Sequence, residues 1–235
     1  MAEMSRYAVL FDVDGTLVDP TYFHALSWWQ AFRRAGITVP TSAIHRAIGM
    51  GGNELVRHFL GAQSPEEQIE ELKNSHDAIF STYWPALVPF HGAKDLLVQC
   101  AGAGLTVILA SSAKREELEV LRQVIDADSA IFAATSSSDA AQGKPAPDIV
   151  AAALDTAGVD AENAIFIGDA VWDAAAARRL GLTMLGVTSG GTSAAELHEA
   201  GVLEVYRDVQ SLLEGLNSSE LGQLISRARQ TDNVE

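Results

Sequence analysis

The chain has 235 residues, of which 48% are apolar, so it can bury a core in one large domain or two small ones. Its 16 Lys and Arg residues stand against 31 Asp and Glu residues, and the net charge of −15 argues against nonspecific binding to nucleic acid or to an anionic membrane. The single cysteine, Cys100, excludes an intrachain disulfide and a multi-cysteine zinc site, and its apolar helical surroundings predict a buried structural thiol.

Two further absences set the expected location. No uninterrupted apolar run approaches the roughly 20 residues that a transmembrane helix needs. Residues 1–6 lack the basic and then apolar pattern of a signal peptide. We therefore expect a soluble, cytoplasmic protein without a membrane or nucleic-acid partner. Because the composition demands no partner chain, the expected state is a monomer or a weak homodimer.

Five short apolar runs alternate with longer helical patterns along the chain. The runs are rich in Val, Ile, Leu and Ala, and they cover residues 7–11, 106–110, 130–133, 164–167 and 183–187. Helices are predicted between them over residues 112–125, 147–155 and 171–180. Continuous apolar character suits strands that are covered on both faces. The alternation predicts an α/β fold, a doubly wound parallel sheet with helices on both sides.

Residues 18–88 interrupt this alternation, because they show helical patterns and no convincing strand. Helices are predicted over 22–36 and 51–60, and a third begins at a capping box formed by Ser64 and Glu67 and stops before Pro85. The sequence therefore predicts an all-helical domain at 18–88, inserted into an α/β core made of residues 1–17 and 89–235. The polar tail after Leu216 is expected to be weakly ordered or helical.

Polar motifs follow four of the five predicted strands, where ligands bind in open α/β sheets. In chain order these motifs are Phe11-Asp12-Val13-Asp14-Gly15-Thr16, Ser111-Ser112, Gly143-Lys144-Pro145 and Gly168-Asp169-Ala170-Val171-Trp172-Asp173. Each motif alone has a plain structural interpretation as a turn, a loop or a helix cap. All four in this order, each after a strand, favour a shared functional site.

The charges in these motifs indicate which ligand the site takes. Four carboxylates, those of Asp12, Asp14, Asp169 and Asp173, are expected to converge and would repel one another unless they share a cation. An all-oxygen set of this kind suits Mg²⁺. The motifs also contain groups that can bind phosphoryl oxygens. They are the ammonium of Lys144, the hydroxyls of Ser111 and Ser112, and the backbone N–H groups of the turn at Gly15 and Thr16.

These residues resemble the motifs of the haloacid dehalogenase-like hydrolase superfamily. The matching pattern is Asp12-x-Asp14-Gly15-Thr16, Ser111, Lys144 and Gly168-Asp169-x-x-x-Asp173. Within the superfamily the chain is similar to the helical-cap phosphatases, such as phosphoglycolate phosphatases, and to β-phosphoglucomutase. Asp14 in particular is similar to the phosphatases, since the dehalogenases lack an acidic residue there. The resemblance implies a Rossmannoid core with a helical cap domain over its site.

The resemblance also implies a reaction, the hydrolysis of a small phosphomonoester such as a sugar phosphate or phosphoglycolate. Asp12 would attack phosphorus and form an aspartyl-phosphate, and Asp14 would serve as general acid and then general base. Mg²⁺ would be held by Asp12, Asp169 and the backbone carbonyl of Asp14, with Asp173 orienting its water ligands. Ser111 and Lys144 would bind the phosphoryl oxygens.

The insertion supplies candidate substrate contacts. They are His24 on its first predicted helix and the loop Gly49-Met50-Gly51-Gly52, with Arg46, Asn53 and Arg57 as further polar candidates. Trp28 and Trp29 are assigned to packing within the insertion. The other histidines, at positions 45, 58, 76, 91 and 198, show no metal-ligand spacing and are assigned to surface or helix roles.

Three other functions stay open at this stage. A β-phosphoglucomutase-like mutase is the main alternative, although the basic residues that flank the cap-loop glycine in such mutases are replaced here by Ile48 and Gly52. A phosphonate-cleaving enzyme would need a cap lysine, and Lys73 is expected on a solvated, charged helix face. A receiver-like phospho-aspartate switch is remote, because receivers carry the acceptor after a middle strand and lack a helical insertion.

Overall fold

The structure is a computed structural model that describes residues 6–232. Outside that range lie residues 1–5 and 233–235. The expected absence of a signal peptide depends on the first of these segments. The core is one parallel sheet of six strands in the order β3-β2-β1-β4-β5-β6. The strands are β1 Ala8–Phe11, β2 Thr106–Ala110, β3 Ala133–Thr135, β4 Ala164–Gly168, β5 Thr183–Val187 and β6 Glu204–Tyr206. The predicted α/β doubly wound fold is therefore confirmed.

The third and sixth strands differ from the prediction. Residues 128–130 form a 3₁₀ turn, so β3 starts at Ala133 and not at residue 130. The short edge strand β6 contains Glu204 and Tyr206, and all three of its residues are only half-buried. It has no apolar run, which is why the sequence does not reveal it.

Helices cover both faces of the sheet because alternate strand residues point to opposite sides. Val9 and Phe11 of β1 join an apolar cluster under α5 Ala93–Gly102, α6 Arg115–Ile125, α10 Val209–Glu214 and α11 Glu220–Asp232. Ala8 and Leu10 join a second cluster under α7 Asp148–Ala157, α8 Val171–Arg179 and α9 Ala194–Glu199. The tail after Leu216 is thus part of the core, since Leu221 and Leu224 of α11 are fully buried.

The segment between β1 and β2 is helical, as predicted. It contains α1 Thr21–Arg34, α2 Thr41–Ala47, α3 Gly52–Leu60, α4 Glu66–Phe80 and a 3₁₀ helix Ser81–Ala86. The four α-helices share an apolar cluster of their own, in which Trp28 and Phe32 are buried, whereas Trp29 is partly exposed. The predicted capping box is wrong, because Ser64 Oγ donates to the carbonyl of Gly61 and does not cap α4.

The two ends of this inserted segment lie side by side where it leaves and re-enters the core. Val18 forms a backbone bridge with Pro89, and the N–H of Asp19 donates to the carbonyl of Val88 at 3.1 Å. The division into a domain at 18–88 and a core at 1–17 and 89–235 stays a prediction. Among residues 6–232, no helix combines the length and the apolar character that crossing a membrane requires.

Candidate active site

The four sequence motifs meet at the carboxyl ends of the central strands. The strand order reverses direction between β1 and β4, and the crevice at such a switch point is where α/β sheets bind ligands. Asp12 follows β1 and Asp169 follows β4, and the N–H of Asp12 donates to the carbonyl of Ile167 at 2.8 Å. Carboxylate oxygens of Asp12, Asp169 and Asp173 lie within 4.8 Å of one another, and all three residues are buried.

Lys144 lies inside this carboxylate cluster with no exposed surface. Its Nζ is 2.6 Å from Asp12 Oδ1, 2.8 Å from Asp173 Oδ1 and 3.1 Å from the carbonyl oxygen of Ala110. Burial lowers the pKa of Lys144, but the two carboxylates outweigh it and hold that pKa above its usual value. Asp173 also accepts the N–H of Ala170 at 3.0 Å, so its carboxylate is engaged by the protein.

The cluster carries more negative charge than Lys144 can balance. Burial raises the pKa of Asp12 to about 7 even though Lys144 lowers it. Burial and the neighbouring charge of Asp12 hold the pKa of Asp169 well above its ordinary value. Carboxylates held this close repel one another, and a bound hard cation relieves that repulsion. The side chains of Asp12 and Asp169 therefore fit a divalent cation with oxygen ligands.

Glycine at two positions makes room for Asp169. A Cβ on Gly190 would lie 1.7 Å from Asp169 Oδ2, and one on Gly15, whose φ is +87°, would lie 2.6 Å from the same atom. The N–H of Gly15 donates to the carbonyl of Val18 at 2.9 Å, and that of Thr16 donates to the carbonyl of Val13 at 3.3 Å. The N–H groups of Gly15 and Thr16 therefore close the turn, and phosphate binding by the turn Asp14-Gly15-Thr16 stays a prediction.

Thr16 and the two serines after β2 complete the core side of the site. The hydroxyl of Thr16 is 3.4 Å from Asp12 Oδ2 and 3.3 Å from Asp169 Oδ1, which positions both carboxylates. Ser111 is fully buried, accepts the N–H of Ala113 at 3.0 Å and lies 3.4 Å from Asp14 Oδ2. Ser112 lines the cavity described below, and its buried hydroxyl has no hydrogen-bond partner among residues 6–232.

Asp14 lies apart from the other three aspartates and faces the inserted helices. Its Oδ1 is 3.5 Å from Nε2 of His24, and the same nitrogen is 3.6 Å from Oε1 of Glu117 on α6. Burial lowers the pKa of His24, but Asp14 and Glu117 outweigh it and the pKa is raised overall. Burial raises the pKa of Glu117 to about 8, against the opposing effect of His24. At neutral pH the carboxyl group of Glu117 therefore favours its protonated form, and the pKa of His24 is shifted in the same direction.

His76 continues this network, and of the surface or helix roles expected for it the structure shows the second, since it is buried on α4. Its Nε2 is 3.1 Å from Nδ1 of His24, and its Nδ1 is 2.9 Å from Oδ1 of Asp77, which pairs with Lys114. Burial lowers the pKa of His76 to about 4. The sequence signal for His76 was its position on the apolar face of α4. Glu117 is likewise buried on α6 next to Leu118, where a solvated acid is not expected.

The predicted loop 49–52 lies over the site. The N–H of Gly51 donates to the carbonyl of Lys144 at 3.0 Å, and a Cβ on Gly51 would lie 2.6 Å from Cα of Gly143. A cavity of about 240 Å³ lies beneath the loop. The described residues that line it include Asp12, Asp14, His24, Gly49, Met50, Gly51, Gly52, Asn53, Lys73, His76 and Glu117.

The remaining polar candidates of the insertion separate into two groups. Asn53 lines the cavity, and its buried Oδ1 has no hydrogen-bond partner among residues 6–232. Lys73 also lines it with a side chain only 18% exposed, so the expected solvated face is wrong. Arg46 and Arg57 do not line this cavity, since they pair on the surface with Glu196 and Glu66.

A larger cavity of about 770 Å³ opens on the other side of Asp169. It is lined by the starts of α1 and α8 and by residues such as Tyr22, His45 and Trp172. Asp12 and Asp14 do not line it. Because a substrate must reach both of these residues, the smaller cavity is the better candidate for the reaction.

Comparisons with known proteins agree with this geometry. The model of the haloacid dehalogenase-like hydrolase family matches residues 8–181, more than half of the chain. A validoxylamine A 7′-phosphate phosphatase from Streptomyces hygroscopicus subsp. limoneus is 28% identical over 83% of this chain and 91% of its own. The β-phosphoglucomutase of Bacillus subtilis (strain 168) is 27% identical over 78% of this chain and 81% of its own.

A solved structure gives the same result. The crystal structure of a hydrolase from Pseudomonas syringae is 31% identical and superimposes with a TM-score of 0.86, covering 90% of this chain and 98% of that one. These similarities confirm the family that the sequence motifs resemble, and they support phosphoester hydrolysis or phosphoryl transfer as its chemistry. The chain belongs to the haloacid dehalogenase-like hydrolases and is an enzyme of their phosphatase type.

Proposed function

We propose that this protein is a Mg²⁺-dependent phosphomonoester hydrolase that acts on a small phosphorylated metabolite through an aspartyl-phosphate on Asp12. The observation that carries the proposal is the position of Asp12. Its carboxylate borders a cavity, is 2.6 Å from a fully buried ammonium, and belongs to a carboxylate cluster that fits a divalent cation. The sequence-based expectations of a cytoplasmic location and of a monomer or weak homodimer stay predictions.

The reaction has two steps. In the first, a carboxylate oxygen of Asp12 bonds to phosphorus, the ester P–O bond breaks, and Asp14 gives its proton to the leaving alcohol oxygen. In the second, Asp14 takes a proton from a water molecule, which attacks phosphorus and releases inorganic phosphate with regeneration of Asp12. Mg²⁺, held by Asp12, Asp169 and the backbone carbonyl of Asp14, would offset the repulsion between carboxylate and phosphate.

The other residues position these groups. Lys144 holds Asp12 and presents positive charge to the phosphoryl oxygens, and Asp173 fixes Lys144 in turn. Ser111 and Ser112 lie at the phosphate end of the cavity, beside Asp14 and on its wall respectively. The inserted helices act as the cap and exclude bulk water. A cavity of about 240 Å³ restricts the leaving group to a small one, with Asn53 and Lys73 as its polar contacts.

The proposal is tested by measuring phosphate release from a panel of small phosphomonoesters with Mg²⁺ and with EDTA. We expect Mg²⁺-dependent release that Asp12→Asn lowers by at least roughly 10³-fold while the far-UV spectrum stays unchanged. Asp19→Asn is the matched control, since Asp19 is exposed and follows the same strand. Normal turnover by Asp12→Asn, or equal release in EDTA, contradicts the proposal.

A mutase is the second candidate, because Lys73 places a cationic side chain in the cavity where a second phosphate or a sugar hydroxyl would lie. The same panel includes β-glucose 1-phosphate, with the product sugar assayed for isomerisation. Conversion to glucose 6-phosphate without net phosphate release would favour the mutase. Net release from several esters would favour the phosphatase.

A further inference from the structure

Three side chains that the carboxylate cluster does not use converge at the boundary between the core and the inserted helices. Nε2 of His24 lies 3.5 Å from Asp14 Oδ1 and 3.6 Å from Glu117 Oε1, and the three atoms lie within 4.8 Å of one another. When zinc binds nitrogen and oxygen at about 2.0–2.1 Å in a tetrahedron, its donor atoms are about 3.3–3.4 Å apart. The two separations from His24 Nε2 are close to those that such an ion needs, and the two carboxylate oxygens lie within 4.8 Å of each other.

The hydrogen-bond network fixes which nitrogen of His24 is available. The carboxylate of Asp77 can only accept, so the Nδ1–H of His76 donates to it and Nε2 of His76 is an acceptor. His24 must then donate its Nδ1–H to His76, since their nitrogens are 3.1 Å apart. In neutral His24 the lone pair of Nε2 therefore points at the two carboxyl groups. A second ring nitrogen held by a hydrogen bond in this way is typical of histidines that ligate metals.

Two further observations show that Asp14 and Glu117 have no cationic partner other than His24 in the part of the chain that the structure describes. Asp14 Oδ1 is buried and makes no hydrogen bond among residues 6–232. Glu117 is only 8% exposed, and its one ion pair in the described part of the chain is the contact with His24. The ammonium of Lys144 lies in the other cluster, with Asp12 and Asp173, and the two clusters share no side chain. Three convergent lone pairs thus require a proton or a metal ion between them.

We propose that Asp14, His24 and Glu117 form a second divalent-metal site, separate from the carboxylate cluster and suited to Zn²⁺ or a similar transition-metal ion. One imidazole nitrogen and two carboxylate oxygens suit Zn²⁺ better than Mg²⁺, which prefers an octahedral set of oxygens. The site borders the cavity of about 240 Å³, so a fourth position is available to water or to an anionic ligand. Because Asp14 is a ligand, an ion bound here prevents Asp14 from exchanging a proton.

The site also links the inserted helices to the core. His24 belongs to α1, whereas Asp14 and Glu117 belong to the core, so one ion bound by all three joins the two across the cavity. An ion at this position would hold the inserted helices closed over Asp12. Metal binding is measured without substrate, so the result of the test does not depend on whether the proposed function is correct.

The test is calorimetric titration of Zn²⁺ into the full chain in excess Mg²⁺, which occupies the carboxylate cluster, with the visible absorption of Co²⁺ as a second readout. We expect one tight ion per chain. Glu117→Gln and His24→Asn should each weaken binding at least tenfold. Glu116→Gln is the matched control, because Glu116 is exposed on the same helix. Asp169→Asn, which alters the other cluster, should leave Zn²⁺ affinity within about threefold.

The variants distinguish Zn²⁺ binding at this site from binding elsewhere on the chain. Affinity unchanged in Glu117→Gln and His24→Asn would mean binding elsewhere, for example at surface histidines, and would overturn the proposal. Loss of binding in Asp169→Asn alone would place the ion in the carboxylate cluster and would also overturn it. Absence of Zn²⁺ binding to the wild type would mean that a proton alone satisfies the three ligand atoms, and it would overturn the proposal. If His24→Asn disturbs packing in circular dichroism, the nearly isosteric Glu117→Gln decides.

Discussion

Lys144→Met is the substitution that best tests the electrostatics of the site. It keeps a long side chain in a position with no exposed surface but removes the charge that faces Asp12 and Asp173. Removing one partner of a buried ion pair costs about 3–5 kcal/mol, because the other charge stays buried and uncompensated. Since a domain is typically stable by about 5–15 kcal/mol, the variant should be severely destabilised.

The chain offers a matched control for this substitution. Lys94 pairs with Asp126 at 2.6 Å, the same separation as between Lys144 and Asp12, but its side chain is 52% exposed. An exposed pair contributes about 0–1 kcal/mol, so Lys94→Met should cost little. The comparison holds the substitution and the distance to the nearest carboxylate constant, while burial and the number of partners differ, since Lys144 also contacts Asp173 and the carbonyl of Ala110.

The loss in Lys144→Met should depend on pH in a defined direction. Lys144 lowers the pKa of Asp12, which burial raises to about 7, so its removal raises that pKa further. A carboxyl group whose folded pKa lies above its unfolded value near 3.8 makes the folded state less stable as pH rises between the two values. We therefore expect the full loss at pH 8 and a loss smaller by more than about 1 kcal/mol at pH 5.

Urea unfolding in EDTA, followed by circular dichroism and tryptophan fluorescence, measures these differences. The two probes should give the same transition if unfolding is two-state. The reasoning would be refuted if Lys144→Met and Lys94→Met cost the same free energy, or if the cost of Lys144→Met did not change between pH 5 and pH 8.

Three further predictions test the loop over the site, the buried thiol and the C-terminal helix. Gly51→Ala places a Cβ 2.6 Å from the backbone of Gly143, so kcat/KM for the best ester should fall roughly ten- to hundredfold. Gly102→Ala is the control, because a Cβ there meets nothing within 4 Å and should leave kcat/KM unchanged. Equal effects of the two substitutions would argue against docking of the loop on Gly143. Burial raises the pKa of Cys100 to about 12, so a thiol reagent at pH 8 should label it only in urea, and rapid native labelling would contradict its buried position. Leu224→Ala should lower the free energy of unfolding by about 2–5 kcal/mol, and a loss below about 0.5 kcal/mol would show that α11 does not belong to the core.

Sequence patterns sufficed for the part of the site that the sheet builds. Asp12 and Asp169 each follow an apolar strand, and parallel neighbours bring their carboxyl ends to one edge whatever the surrounding helices do. The adjacent turn shows the limit of this reasoning. Gly15 and Thr16 are where the motif requires them, but the hydrogen-bond partners of their N–H groups depend on the path of the loop to Val18. That path cannot be derived from spacing.

The part of the site that depends on helix packing was not predictable in the same way. His76 and Glu117 lie on α4 and α6, which are separated in sequence and meet only because the inserted helices dock on the core. A helical pattern shows which face is buried but not which buried residues of two helices face each other. Lys73 was misplaced for the same reason, since its exposed position on α4 in isolation becomes a cavity wall when α3 packs beside it.

Two aspartates separated by one residue occupy opposite electrostatic environments in this site, and that difference matches the roles proposed for them. Asp12 lies in a cluster of three carboxylates with one ammonium, where a divalent cation would supply the missing charge and keep the nucleophile ionised. Asp14 lies against His24 and Glu117, two groups whose pKa values are raised above their ordinary values. Acid and base assignments commonly arise when neighbouring carboxyl groups are separated in this way. The core supplies the first environment alone, whereas the second also needs His24, which α1 of the inserted helices supplies.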